Sequence, residues 1–107
     1  MTEQADTKQP IKDPVGPVIG SGDLADAVAA AAVVDNPGKR VEVRNRASYV
    51  RIEVDGGECI IRRSTIENEL GRPFRMRDLE VNMPSFVGRI ETGTESFRFY
   101  LGKENDQ

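Results

Sequence analysis

Few residues in this 107-residue sequence have the chemistry of an active site. There is no His, and Cys59 is the single cysteine. Without His, the chain lacks the commonest general base and metal ligand near neutral pH. One thiol cannot form an internal disulfide or a thiolate cluster for zinc or iron–sulfur. The 18 Asp and Glu residues are scattered rather than set at the spacing of a calcium loop. This composition argues against self-sufficient catalysis, so no catalytic residue, metal ligand or cofactor is expected.

Four other groups have types and spacings that could do something. Gly16, Gly20 and Gly22 precede a helical segment, as in a phosphate cradle, but no Lys follows and the spacing matches no dinucleotide fingerprint. Turn geometry explains them better. Arginines 40, 44, 46, 51, 62 and 63 cluster, yet only Tyr49 could stack on a base among them, and Glu42, Glu53, Asp55 and Glu58 are interspersed. A solvated strand face or a salt-bridged protein interface fits that mixture better than nucleic acid. Cys59 beside Ile60 and Ile61 reads as a small buried hydrophobe. Residues 82–88, Asn-Met-Pro-Ser-Phe-Val-Gly, are uncharged throughout. They read either as a bulge whose Phe86 plugs the core or as a presentation loop that a partner covers; residue chemistry alone favours the bulge.

The elements that must position these groups follow from periodicity. Residues 1–13 are polar and read as a flexible N-terminal arm, 14–101 as one folded domain, and 102–107 as a flexible tail. Residues 15–19 suggest an edge strand because Pro17 cannot donate to a ladder. A helix is expected from Asp23 to Val34, with Ser21 as its cap and Asp23 and Asp26 at the positive end of its dipole. Asp35-Asn36-Pro37-Gly38 stops it. From Leu24 to Val34 its only polar side chain is Asp26. With Leu24, Ala27, Val28 and Ala31 turned inward, Ala29, Ala30 and Val33 form a small apolar outer face. Two readings stand: a helix rich in Ala for propensity, or one that docks on a partner.

Alternation over 40–44 and 49–54 predicts a hairpin, and Asp55-Gly56-Gly57 turns into a third strand over 58–62. Ser64-Thr65-Ile66-Glu67 has capping-box spacing and opens a short helix ended by Gly71. Leu79, Val81 and Met83 alternate like a strand, and residues 87–91 and 96–101 predict a closing hairpin with Phe97, Phe99 and Leu101 inward. The whole reads as α+β, two βαββ-like halves with helices packed on mainly antiparallel sheet. Net charge of −3, no secretory signal and no apolar run of the roughly 20 residues that cross a bilayer lead to the expectation of a cytoplasmic protein that binds neither membrane nor nucleic acid.

Six short motifs follow in order: Val15-Gly16-Pro17-Val18-Ile19, Gly22-Asp23-Leu24, Asp35-Asn36-Pro37-Gly38, Tyr49-Val50-Arg51-Ile52, Leu70-Gly71-Arg72-Pro73-Phe74 and Ser85-Phe86-Val87-Gly88-Arg89-Ile90. Together they resemble the effector (coupling) proteins of soluble bacterial multicomponent diiron monooxygenases, closest to the toluene and alkene branch. The resemblance implies a cofactor-free regulatory subunit that binds a diiron hydroxylase oligomer. There it would modulate oxygen activation, coupling, regioselectivity and substrate access, in possible competition with a ferredoxin or reductase. In methane relatives a small, polar run at the equivalents of Asn82, Pro84, Ser85 and Phe86 influences substrate entry; Pro84 and Phe86 depart from that pattern here. The docking surface expected on this basis comprises Asp23, Asp26, Ala29, Ala30, Val33 and Asn36, with Arg51 on a polar rim, and Asn82, Pro84, Ser85, Phe86 and Gly88. A small RNA-binding or metabolite-sensing α+β module is the alternative.

Overall fold

Alternation of apolar and charged residues builds the first sheet. In a computed structural model describing residues 11–102, Val50, Ile52 and Val54 of β3 (Tyr49–Val54) are buried while Tyr49, Arg51 and Glu53 face outward. Antiparallel β2 (Val41–Asn45) pairs along one side of β3, and β1 (Gly16–Gly20) along the other. On the far side of β1 lies β5 (Ser85–Val87), giving the order β2-β3-β1-β5. A second antiparallel sheet has the order β4-β7-β6, from Glu58–Arg62, Ser96–Tyr100 and Arg89–Thr92. Helix α1 (Asp23–Asp35) packs against β3, β4 and α2 (Arg63–Leu70), and the short α3 (Met76–Val81) follows. The fold is α+β, with halves β1-α1-β2-β3 and β4-α2-α3-β5-β6-β7, and β5 crosses from the second half to the first sheet. One core joins both sheets, with Ile19, Val28, Ile52, Ile61, Ile66, Leu79, Phe97 and Phe99 fully or almost fully buried.

Several local expectations change. β1 is an interior strand. Pro17 is tolerated there because it falls between the Val15–Val54 bridge and the Val18–Arg51 pair, where the ladder to β3 is interrupted. Residues 79–83 are not a strand: Met76, Leu79 and Met83 are buried at helical spacing, and Val81 is 82% exposed. Neither Ser21 nor Ser64 caps a helix by its side chain. Gly22 is the N-cap of α1 and Arg62 that of α2, while the Ser21 hydroxyl donates to the Ala47 carbonyl. Gly71 does end α2 in the left-handed conformation, φ 76°. Leu101 is exposed rather than inward.

Residues 1–10 of the expected arm and 103–107 of the expected tail lie outside the described residues. Lys12 and Asp13 are tied down: their carbonyls accept the N–H groups of Gly56 and Gly57, and the Lys12 N–H donates to the Asp55 carboxylate.

Candidate docking site

On α1 the exposed positions recur every three to four residues. Asp23 and Asp26 are exposed, Ala30 is half-buried, and Val33 is 57% exposed, so the four lie along one stripe. Its first turn is acidic and its last apolar, with Val34 (58% exposed) widening the apolar end. Ala25, Ala27, Val28, Ala31 and Ala32 make the buried face. Ala29, expected outside, packs partly against the core and contributes little to this stripe.

Residues 82–88 lie beside the start of the same helix. Asn82 is the C-cap of α3, and its carbonyl accepts the Gly20 N–H at 3.0 Å, two residues before the α1 N-cap. Met83 is buried; Pro84, Ser85 and Phe86 are exposed. Phe86 reaches the core without being enclosed by it. Its ring tilts against Phe99 at a centroid distance of 6.0 Å, yet the residue remains 39% exposed. Gly88 carries the chain from the first sheet to the second at φ 98°. A Cβ there would meet the Tyr100 carbonyl oxygen at 2.8 Å and Val15 at 2.9 Å, so Gly88 shapes the site without offering a side chain.

Three expected residues, Asn36, Arg51 and Ser85, are not brought to this surface. Asn36 is buried, and its amide bonds Ala32 and Ile60 instead of a partner. Arg51 faces away from α1, on the opposite side of the first sheet. Register places Arg51 across from Val18 and Val18 across from Ser85, so on that face Arg51 accompanies Ser85 alone among the expected residues. Its charge is also engaged. Arg44 lies opposite Arg51 and Glu42 opposite Glu53, and these like-charge pairs are offset by neighbouring contacts. Arg44 reaches Glu42 at 2.9 Å and Glu53 at 3.3 Å, Arg40 reaches Glu42 at 2.7 Å, and Arg51 reaches Glu53 at 3.6 Å. Arg40, Arg44 and Arg51 are thus paired with Glu42 and Glu53 on one strand face, while Arg62 and Arg63 lie apart from them on β4 and α2.

The sequence reading missed Val34 and Val81. Val81 was hidden by a three-residue alternation; the buried Met76, Leu79 and Met83 are the helical signal that would have exposed it. Cys59 is a buried hydrophobe, and burial pushes its thiol up to about 12, far from a reactive thiolate. Among the described residues no three His, Cys, Asp or Glu side chains are grouped to hold a metal, and no helix is long and apolar enough to cross a membrane.

The site is thus an exposed helix stripe whose start is hydrogen-bonded, through Gly20 and Asn82, to an uncharged and largely exposed segment. Known proteins share this framework. The effector subunit of the alkene monooxygenase system of Xanthobacter autotrophicus strain Py2 is 49% identical over 86 residues, covering 80% of this chain and 84% of that relative. The structure of a phenol hydroxylase–regulatory protein complex contains a chain that superposes with a TM-score of 0.68 at 24% identity, covering 83% of this chain and 98% of that one. The methane monooxygenase regulatory protein B superposes with a TM-score of 0.61 at 23% identity, over 95% of this chain and 76% of that one. The family model described as MmoB/DmpM matches residues 13–100, and the chain belongs to the MmoB/DmpM family.

Proposed function

We propose that the α1 stripe and the exposed residues Val81, Pro84 and Phe86 together form the surface by which this chain docks on the hydroxylase component of its monooxygenase. The chain is an effector subunit of a multicomponent monooxygenase, not its catalyst. The observation that carries the docking reading is the joining of two exposed segments, 62 residues apart in sequence, by the Gly20 N–H to Asn82 carbonyl bond. Asp23, Asp26, Ala30 and Val33 supply the helical half, and Val81, Pro84 and Phe86 the other. A phenol hydroxylase–regulatory protein complex is known for a chain of this fold, which supports a hydroxylase as partner.

An effector without reacting groups acts only by binding one hydroxylase conformation more tightly than another. A preference of about 1–3 kcal/mol changes the relative population of the active form about 5–150-fold. Oxygen activation, coupling, regioselectivity and substrate access then change together, because all depend on the same diiron-site geometry. In this reading the partner is a diiron hydroxylase oligomer in the cytoplasm, and the effector competes with the ferredoxin or reductase where their footprints overlap.

The test is substrate oxidation by the hydroxylase encoded with this chain, with its electron-transfer components, recording product and NADH together as the chain is added. Product should rise to saturation near stoichiometric addition while NADH consumed per product falls. Unchanged product and unchanged coupling would sink the reading. Ala30→Glu should lose this activation while remaining folded; normal activation by that variant would remove α1 from the interface.

A further inference from the structure

Among the described residues, strand β4 lies at the edge of the second sheet and pairs with β7 alone. The backbone groups on its other side would ordinarily be open to water or to a foreign strand. They are instead occupied by side chains from the turn that ends α1. The Arg62 N–H donates to Asp35 Oδ2 at 2.8 Å. The Ile60 N–H donates to Asn36 Oδ1 at 2.9 Å, and the Ile60 carbonyl accepts Asn36 Nδ2 at 2.9 Å. The Glu58 carbonyl accepts Lys39 Nζ at 2.9 Å. Spaced two residues apart along β4, these contacts reproduce what a neighbouring strand would offer. Asp35 Oδ1 also accepts the Thr65 hydroxyl at 2.7 Å, which ties the same turn to α2.

Such an arrangement fixes more than stability. Asn36 Nδ2 also donates to the Ala32 carbonyl at 2.8 Å, so the last turn of α1 is held both along its axis and in rotation. Val33 and Val34 sit within that turn and are exposed because of this rotation. We infer that Asp35, Asn36 and Lys39 form a side-chain surrogate strand that positions the apolar end of the α1 stripe for the partner, acting through Val33 and Val34. The inference rests on the docking reading above, and a double-mutant cycle separates the two.

Affinity for the hydroxylase is measured for Asn36→Ala, Val33→Glu, Phe86→Ala and the two doubles containing Asn36→Ala, at a temperature where each is folded by circular dichroism. Positioning through Val33 predicts that Asn36→Ala and Val33→Glu each weaken binding about tenfold, and that the double is weakened by less than about thirtyfold, well short of their product. Asn36→Ala with Phe86→Ala should instead multiply, because Phe86 stands on a separate segment. Thr65→Val removes one bond to Asp35 and serves where Asn36→Ala fails to fold; it should weaken binding about threefold and show the same selective coupling to Val33→Glu. A purely structural role would lower thermal stability, leave the affinity of the folded protein unchanged and show no coupling, overturning the inference. If Val33→Glu alone binds normally, the docking reading of this part of α1 fails as well.

Discussion

Asn36 and Asn82 begin alike and end differently. Each terminates a helix as its C-cap, and each donates its side-chain amide to the carbonyl four residues earlier, Ala32 or Asp78, at 2.8 Å. A proline stands one residue after the first and two after the second. Asn36 is buried, and the rest of its amide pairs with both backbone groups of Ile60. Asn82 is exposed, and among the described residues its side-chain oxygen finds no donor. The same residue in the same local motif is therefore structural at one end of the molecule and available for contact at the other. What separates them is the neighbour: an open strand edge beside Asn36, solvent beside Asn82.

Breaking this comparison should produce the largest effect in the molecule's polar network. Asn36→Ala removes three hydrogen bonds to backbone groups and leaves the Ile60 N–H and carbonyl without their partners. Each stranded buried polar group costs about 1–3 kcal/mol, so the loss should reach about 2–4 kcal/mol in urea unfolding. Asn82→Ala removes one exposed bond and should cost less than about 1 kcal/mol by the same measurement. Comparable losses for the two variants would show that burial does not distinguish them.

Gly88 tests the exposed segment from its other end. Alanine there meets the Tyr100 carbonyl and Val15 inside ordinary contact distance, at a backbone φ of 98°. The expected loss is about 2–3 kcal/mol of stability, because neither a carbonyl in the β6–β7 ladder nor a core valine can move freely. Phe86→Ala should act more on binding. With the ring half in solvent and half against Phe99, its removal should cost about 1–2 kcal/mol of stability. Hydroxylase affinity should fall by more than about tenfold if the ring is a contact anchor. A stability loss with unchanged affinity would return Phe86 to the core-plug reading.

How much of this was legible depends on how far each signal reaches along the chain. The β2–β3 hairpin and the span of α1 follow from local periodicity and from Asn36-Pro37-Gly38, and they stand. Leu79, Val81 and Met83 satisfy a two-residue period over too short a window to exclude a helix; Met76 decides the matter. β1 looked like an edge because its second partner is a three-residue strand about 70 residues away, which no local pattern announces. Asn36 was legible as a helix stop but not as a partner for Ile60, 24 residues on. The sequence distinguishes a turn-forming side chain from a helix former; it does not tell which distant backbone that side chain will meet. Residue chemistry argued against catalysis, while the functional direction came from family resemblance.

Glu67 sharpens the comparison at its smallest scale, since it makes a backbone bond from a partly exposed position. Its carboxylate accepts the Phe74 backbone N–H at 2.9 Å and the Arg63 guanidinium at 2.9 Å. Those contacts, the Phe74 bond foremost, hold its carboxyl below the ordinary value of 4.5. A carboxyl whose folded pKa is depressed stabilises the fold above its unfolded pKa, and that contribution is lost as pH falls through the folded value. The stability advantage of the native chain over Glu67→Gln should therefore be constant near neutrality and shrink as pH falls through and below the ordinary carboxyl value of 4.5. Thermal unfolding across that range measures it. The advantage should be small, because an ion pair that water and salt still reach is screened. An advantage that persists unchanged at the acid end would mean that Glu67 acts through packing of the α2–α3 connection rather than through its charge.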